Sequence, residues 1–104
     1  MADEFIKVAD ASEIPKGSMK AVKLGENEVM IANVDGTFYA LNNKCTHMGG
    51  PLARGKLEGF VVQCPWHGSK FDVRTGAVVG PPASTAEVTF QVKVEGGSIS
   101  IKAS

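Results

Sequence analysis

An all-β fold, an antiparallel sandwich or barrel-like scaffold carrying a loop-rich insert, is predicted for this 104-residue chain by three observations. Apolar and polar residues alternate with a period of two near both ends of the chain, as strands with one buried face require. The turn signals Asp35-Gly36 and Gly96-Gly97 each separate two such runs, which marks hairpins. Between Asn42 and Ala83 the composition shifts: Gly49, Gly50, Pro51, Gly55, Gly59, Pro65, Gly68, Gly76, Gly80, Pro81 and Pro82 set loop conformations instead of packing a core.

The elements follow in order. A short strand is expected over Phe5 to Val8, then a single helical turn at Asp10-Ala11-Ser12-Glu13-Ile14, closed by Pro15. Met19 to Leu24 reads as a strand, and Glu28 to Val34 pairs with Thr37-Phe38-Tyr39-Ala40-Leu41 across Asp35-Gly36. Inside the insert, Phe60 to Gln63, Ser69 to Asp72 and Ala77-Val78 are short strand candidates. Val88, Phe90, Val92 and Val94 alternate with Glu87, Thr89, Gln91, Lys93 and Glu95, which predicts one one-sided strand. After Gly96-Gly97, Ile99 and Ile101 return as its partner. The length suits one domain, 1–104, with the scaffold in 1–42 and 84–104 and the insert in about 43–83.

Charge narrows the function classes. Eleven basic residues balance eleven acidic ones, and no run of five like charges occurs, so neither nucleic acid nor an anionic membrane is expected as a partner. The acidic start Met1-Ala2-Asp3-Glu4 lacks the basic, apolar pattern of a secretory signal, and no apolar run is long enough for a membrane span. The expected location is the cytoplasm, whose reducing conditions disfavour a disulfide between the two cysteines.

Those two cysteines and the only two histidines fall in one pattern: Cys45-Thr46-His47, sixteen residues, then Cys64-Pro65-Trp66-His67. Any one of them alone would be an ordinary core or surface residue. Together, flanked by Gly and Pro, they read as a metal site. A structural Cys₂His₂ zinc site is one candidate, but zinc pairs are usually separated by two to four residues so that both grip one ion. The single spacer in Cys45-Thr46-His47 better suits side chains that reach different metal atoms. A Cys/His nucleophile is disfavoured because no third group is placed to orient either pair.

The segments Cys45-Thr46-His47-Met48-Gly49-Gly50-Pro51-Leu52 and Cys64-Pro65-Trp66-His67-Gly68-Ser69-Lys70-Phe71-Asp72 resemble the two cluster-binding loops of Rieske iron–sulfur proteins. Gly80-Pro81-Pro82 is similar to the family's third, proline-bearing loop, and the length fits a stand-alone Rieske ferredoxin. The resemblance implies the Rieske fold and one [2Fe–2S] cluster, with Cys45 and Cys64 on the buried iron and His47 and His67 on the outer iron. Two ferric ions, two sulfides and two thiolates sum formally to zero, so an added electron meets less negative charge than in an all-cysteine cluster. The potential rises to about −150 to +300 mV, against about −400 mV for plant-type clusters.

Departures from the respiratory members place the chain within that window. Gly50 and Trp66 stand where those members carry a clamping disulfide, and Phe71 stands where they have a tyrosine that donates to a cysteine sulfur. Ser69 is kept where they have a serine donating to a bridging sulfide. Fewer donors to sulfur leave the reduced cluster less stabilised, which points to roughly −150 to 0 mV. Trp66, Met48, Leu52, Pro81 and Pro82 are expected as an apolar collar for brief partner docking, with Trp66 alternatively only shielding the cluster. Gly49, Gly50 and Gly68 let backbone N–H groups approach the sulfides or simply make tight turns, and Asp72 with Arg74 reads as a scaffold pair.

The resemblance implies a soluble one-electron carrier, not an enzyme by itself, between a flavin-dependent ferredoxin reductase and a terminal oxygenase or other redox enzyme. The alternatives are a small Rieske subunit of an NADH-dependent nitrite reductase-like complex and a zinc-stabilised binding module without redox function.

Overall fold

The run Val29-Met30-Ile31-Ala32 contains no polar residue, so a strand through it is dry on both faces. In the computed structural model, which describes residues 5–24, 27–44, 51–66, 68–80 and 85–102, all four side chains are fully buried. Val29 and Ile31 pack with Ile14, Val22, Leu24, Ala40, Ile99 and Ile101. Met30 and Ala32 point the other way and pack with Leu41, Leu52, Val62, Cys64, Phe71 and Val73. One strand therefore forms a wall shared by two cores.

That strand is β3 (Asn27–Val34), second in a sheet ordered β2 (Met19–Leu24), β3, β4 (Thr37–Asn42) and β9 (Thr89–Phe90). A second sheet sets β11 (Ser98–Lys102) between β1 (Phe5–Asp10) and β10 (Val92–Glu95). The third comprises β5 (Lys56–Glu58), β6 (Val61–Gln63), β7 (Lys70–Asp72) and β8 (Val78–Gly80), in chain order. All described pairings are antiparallel. The all-β architecture expected from the two-residue period is thus present.

Several local expectations hold in detail. Asp35 and Gly36 turn with φ of 52° and 94°, the doubly positive pair that a two-residue hairpin needs. The turn after β1 is a 3₁₀ segment, Ala11–Glu13, whose Glu13 accepts the N–H of Asp10 at 3.0 Å and pairs with Lys20.

Two expectations need correction. The single strand over 87–95 is broken: β9 pairs with β4, β10 pairs with β11, and Gln91 between them accepts the N–H of Lys102 at 3.0 Å. Passing from one sheet to another leaves only Phe90 and Val92 packed on the core, with Val88 and Val94 exposed. β5 lies where the composition suggested loop, because its one apolar residue, Leu57, is too little to show a period.

The third sheet docks on the β3 wall through Val62 and Phe71, which are cross-strand partners on one face. Its far end is tied by Asp72 and Arg74. The guanidinium donates from Nη2 to Oδ2 at 2.8 Å and from Nε to Oδ1 at 3.1 Å, and lies 4.0 Å above the Phe60 ring. Phe60 in turn meets Tyr39 of β4 edge-on at 6.1 Å. The bonds from Arg74 hold the Asp72 carboxyl below its ordinary value of 3.8, outweighing the upward push of burial. This is the scaffold pair expected from the sequence.

A depressed carboxyl adds stability above its unfolded pKa and loses it as pH falls through the folded value. Asp72→Asn is therefore expected to lower the urea midpoint at neutral pH, with the deficit shrinking as pH falls below 3.8 and through the folded carboxyl's lower value. Paired urea titrations across that range check it; a deficit that persists undiminished in acid would mean the carboxylate charge is not what stabilises.

Candidate metal centre

Strand β6 ends at Gln63 and β7 begins at Lys70, so the second cysteine motif occupies the turn between two paired strands. The backbone N–H of Cys64 donates to the carbonyl of Ser69 at 2.7 Å and closes the turn at its neck. Within it, Gly68 takes a φ of 79°, a conformation that a side-chain-bearing residue rarely adopts. Cys64 is buried in the core below, and Ser69 is fully buried beside it. The N–H of Trp66 points back at the Cys64 sulfur at 3.4 Å, an arrangement that favours negative charge on sulfur. A buried thiol with a backbone donor already aimed at it fits a metal-bound thiolate. Of the residues expected around the site, Cys64, Trp66 and Ser69 come together in this one turn.

The first motif is held by its stem. Lys44 and Pro51 form an isolated antiparallel bridge that pinches the segment between them. Just before it, the buried Asn43 uses every polar group it has. Its N–H and Nδ2 donate to Glu28 O and Oε1 at 2.9 and 2.8 Å, and its O and Oδ1 accept from the N–H groups of Leu52 and Ala53 at 2.7 and 2.8 Å. A buried polar residue satisfied on all sides fixes its surroundings. Cys45, His47, Met48 and Gly50 of this loop, with His67, Pro81 and Pro82, lie outside the described residues. The feet of both loops nevertheless meet, because Leu52 and Cys64 belong to one buried cluster.

Leu52 is a correction. Expected in an exposed collar, it is fully buried, because it opens the 3₁₀ turn Leu52–Arg54 with its side chain directed onto the β3 wall. Trp66, the other collar residue among the described residues, is 49% exposed. Phe71, without a hydroxyl, is wholly buried beneath the turn.

Sequence reasoning missed two positioning residues. Asn43 carries no ligand chemistry, and only its place directly ahead of a loop motif pointed to it. Gly55 was one glycine among many. A Cβ there would sit 1.8 Å from the carbonyl oxygen of Gln63 and 3.2 Å from Cδ of Pro65, so only glycine lets this segment lie against the Cys64 strand.

Comparison with known proteins adds an independent line. A family model described as the Rieske [2Fe-2S] domain matches residues 4–95. The chain is 38% identical over 97 residues to apoptosis-inducing factor 3 of Mus musculus, covering 93% of this chain but only 16% of that protein. It is 34% identical over 102 residues to the ferredoxin component of the naphthalene 1,2-dioxygenase/salicylate 5-hydroxylase systems of Ralstonia sp., covering 98% of both. Among solved structures, a chain of the complex of reduced oxygenase and oxidized ferredoxin in carbazole 1,9a-dioxygenase superposes with a TM-score of 0.89 at 32% identity, over 94% of this chain and 92% of that one.

Gly55→Ala is expected to destabilise the fold by about 1–3 kcal/mol, the cost of forcing a methyl group into a packed site. It should also lower the iron bound per chain, because the Gln63–Cys64 backbone must yield. Denaturant unfolding and iron analysis of the purified variant check this; full iron content with an unchanged midpoint would show that the contact is not limiting.

Proposed function

The chain belongs to the Rieske [2Fe-2S] domain family and carries a Rieske-type cluster, and from that premise we propose that it is a one-electron carrier serving a terminal oxygenase. The observation that carries this reading is the buried Cys64 sulfur under the Trp66 N–H, at the end of a sheet, with the exposed Trp66 beside it. Cys64 and Cys45 would hold one iron, His47 and His67 the other. When bound, the cluster takes up and gives back one electron at a time. Segment 43–83 serves as the cluster-binding unit, on a scaffold from 1–42 and 84–104.

The chain's own residues do three things for that chemistry. Cys64 keeps its ligating sulfur in a dry pocket whose backbone is fixed by the bond to Ser69. Trp66 donates its N–H to that sulfur, and Ser69 stands buried where a second donor is useful. Phe71 fills the core below with no hydroxyl to give, so the potential belongs in the lower part of the family range, about −150 to 0 mV.

The oxygenase partner is supported by the dioxygenase ferredoxin component to which the chain is similar over nearly its whole length. The solved ferredoxin–oxygenase complex supports it too. A flavin-dependent reductase would supply the electron. The chain is an electron-transfer component and not the catalytic subunit. Among the described residues no helix is long and apolar enough to cross a membrane. The cytoplasm is the proposed compartment, since reducing conditions keep both cysteines available as ligands.

Purified protein should show the visible absorption of a [2Fe–2S] centre, and a rhombic electron paramagnetic resonance signal after reduction by dithionite. The midpoint should titrate at roughly −150 to 0 mV, and Cys64→Ser should remove the signal. A colourless zinc-containing protein, or an unchanged signal in Cys64→Ser, would contradict the reading.

A further inference from the structure

The outward face of the third sheet is sorted by charge. Lys56, Gln63 and Lys70 are direct partners across β5, β6 and β7, so their side chains share one face. The row two residues further along is Glu58, Val61 and Asp72, on the same face. Leu57, Val62 and Phe71, between the rows, point into the core. The lysine row borders the Cys64 turn, because Gln63 precedes Cys64 and Lys70 follows Ser69; the acidic row lies away from it.

Arg54 extends the cationic row. Gly55 presses the Arg54–Lys56 segment against Gln63 and Pro65, so Arg54 and Lys56 line one shallow cleft with Cys64, Pro65 and Gly68. Arg54, Lys56 and Lys70 are exposed, and no ion pair among the described residues involves them. At the other end of that sheet, Asp72 is occupied by Arg74. Segment 43–83 carries a net +3 while the whole chain is neutral, so the molecule is polarised with its positive end at the candidate centre.

We infer that the rim formed by Arg54, Lys56 and Lys70 around the Cys64 turn is a docking face for an acidic protein surface, that of the redox partner. The inference rests on the electron-carrier reading above. A small transient interface has little area with which to orient two proteins. A charged rim raises the encounter rate and fixes which end arrives first, without the slow release that a large apolar contact brings. The exposed Trp66 then supplies a short apolar contact inside the rim. Because the net charge is zero, attraction to an acidic surface must come from this polarity and not from the molecule as a whole.

A carboxylate-terminated monolayer on gold is the probe for such a surface, and an ammonium-terminated monolayer is its opposite. Voltammetry of the cluster-loaded protein at about 10 mM salt should give an electron-exchange rate at least about tenfold higher on carboxylate, and the difference should collapse near 0.5 M salt. The triple variant R54E/K56E/K70E, with its visible spectrum intact, should reverse the preference. Equal rates of the parent protein on both monolayers would overturn the docking face while leaving the carrier reading standing, and so would a variant that keeps the parent's preference. The comparison on the parent alone suffices if the variant does not fold. No wave on either surface, with no dithionite-reducible spectrum, would overturn the carrier reading and this inference with it.

Discussion

Everything at the candidate centre depends on one strand that is dry on both sides. Val29-Met30-Ile31-Ala32 can only be satisfied by two cores, and the molecule builds one on each face of β3. The first is the scaffold's own, closed by Ile99 and Ile101. The second exists only if the third sheet docks with Val62, Phe71 and Cys64 facing inward. The cysteine proposed as a ligand is thus also a core residue, and burial of apolar surface fixes where its sulfur sits.

The flanking residues of both loops are fixed by that docking. The neck bond from Cys64 to Ser69 closes one turn, and the bonds of Asn43 to Glu28, Leu52 and Ala53 close the stem of the other. Both necks rest on the second core, through Leu52 and Cys64. Fixed necks also suit electron transfer, because backbone that is already tied need not reorganise when charge changes beside it.

The strands with a two-residue period were legible in the sequence, because each buries one face and the pattern records it. The break at Gln91 was not, since the period is the same on both sides of a handover between sheets. β5 escaped because three residues carry no period, and Leu52 was misplaced because an apolar residue in a glycine-rich loop gives no sign of which way it points. The residues proposed as ligands stand out in the sequence by type and spacing alone: no other cysteine or histidine exists in the chain. Their supports were not. Asn43 and Gly55 act through a hydrogen-bond network and a close backbone approach, which only three dimensions reveal.

The central claim is that this centre holds two inequivalent irons, one bound by thiolates and one by imidazoles. Mössbauer spectroscopy of ⁵⁷Fe-enriched protein tests it most directly. The oxidised protein should show two quadrupole doublets of equal area with distinct isomer shifts, and on reduction only the doublet of the histidine-bound iron should move to ferrous values. A single doublet, or one iron per chain, would contradict the account.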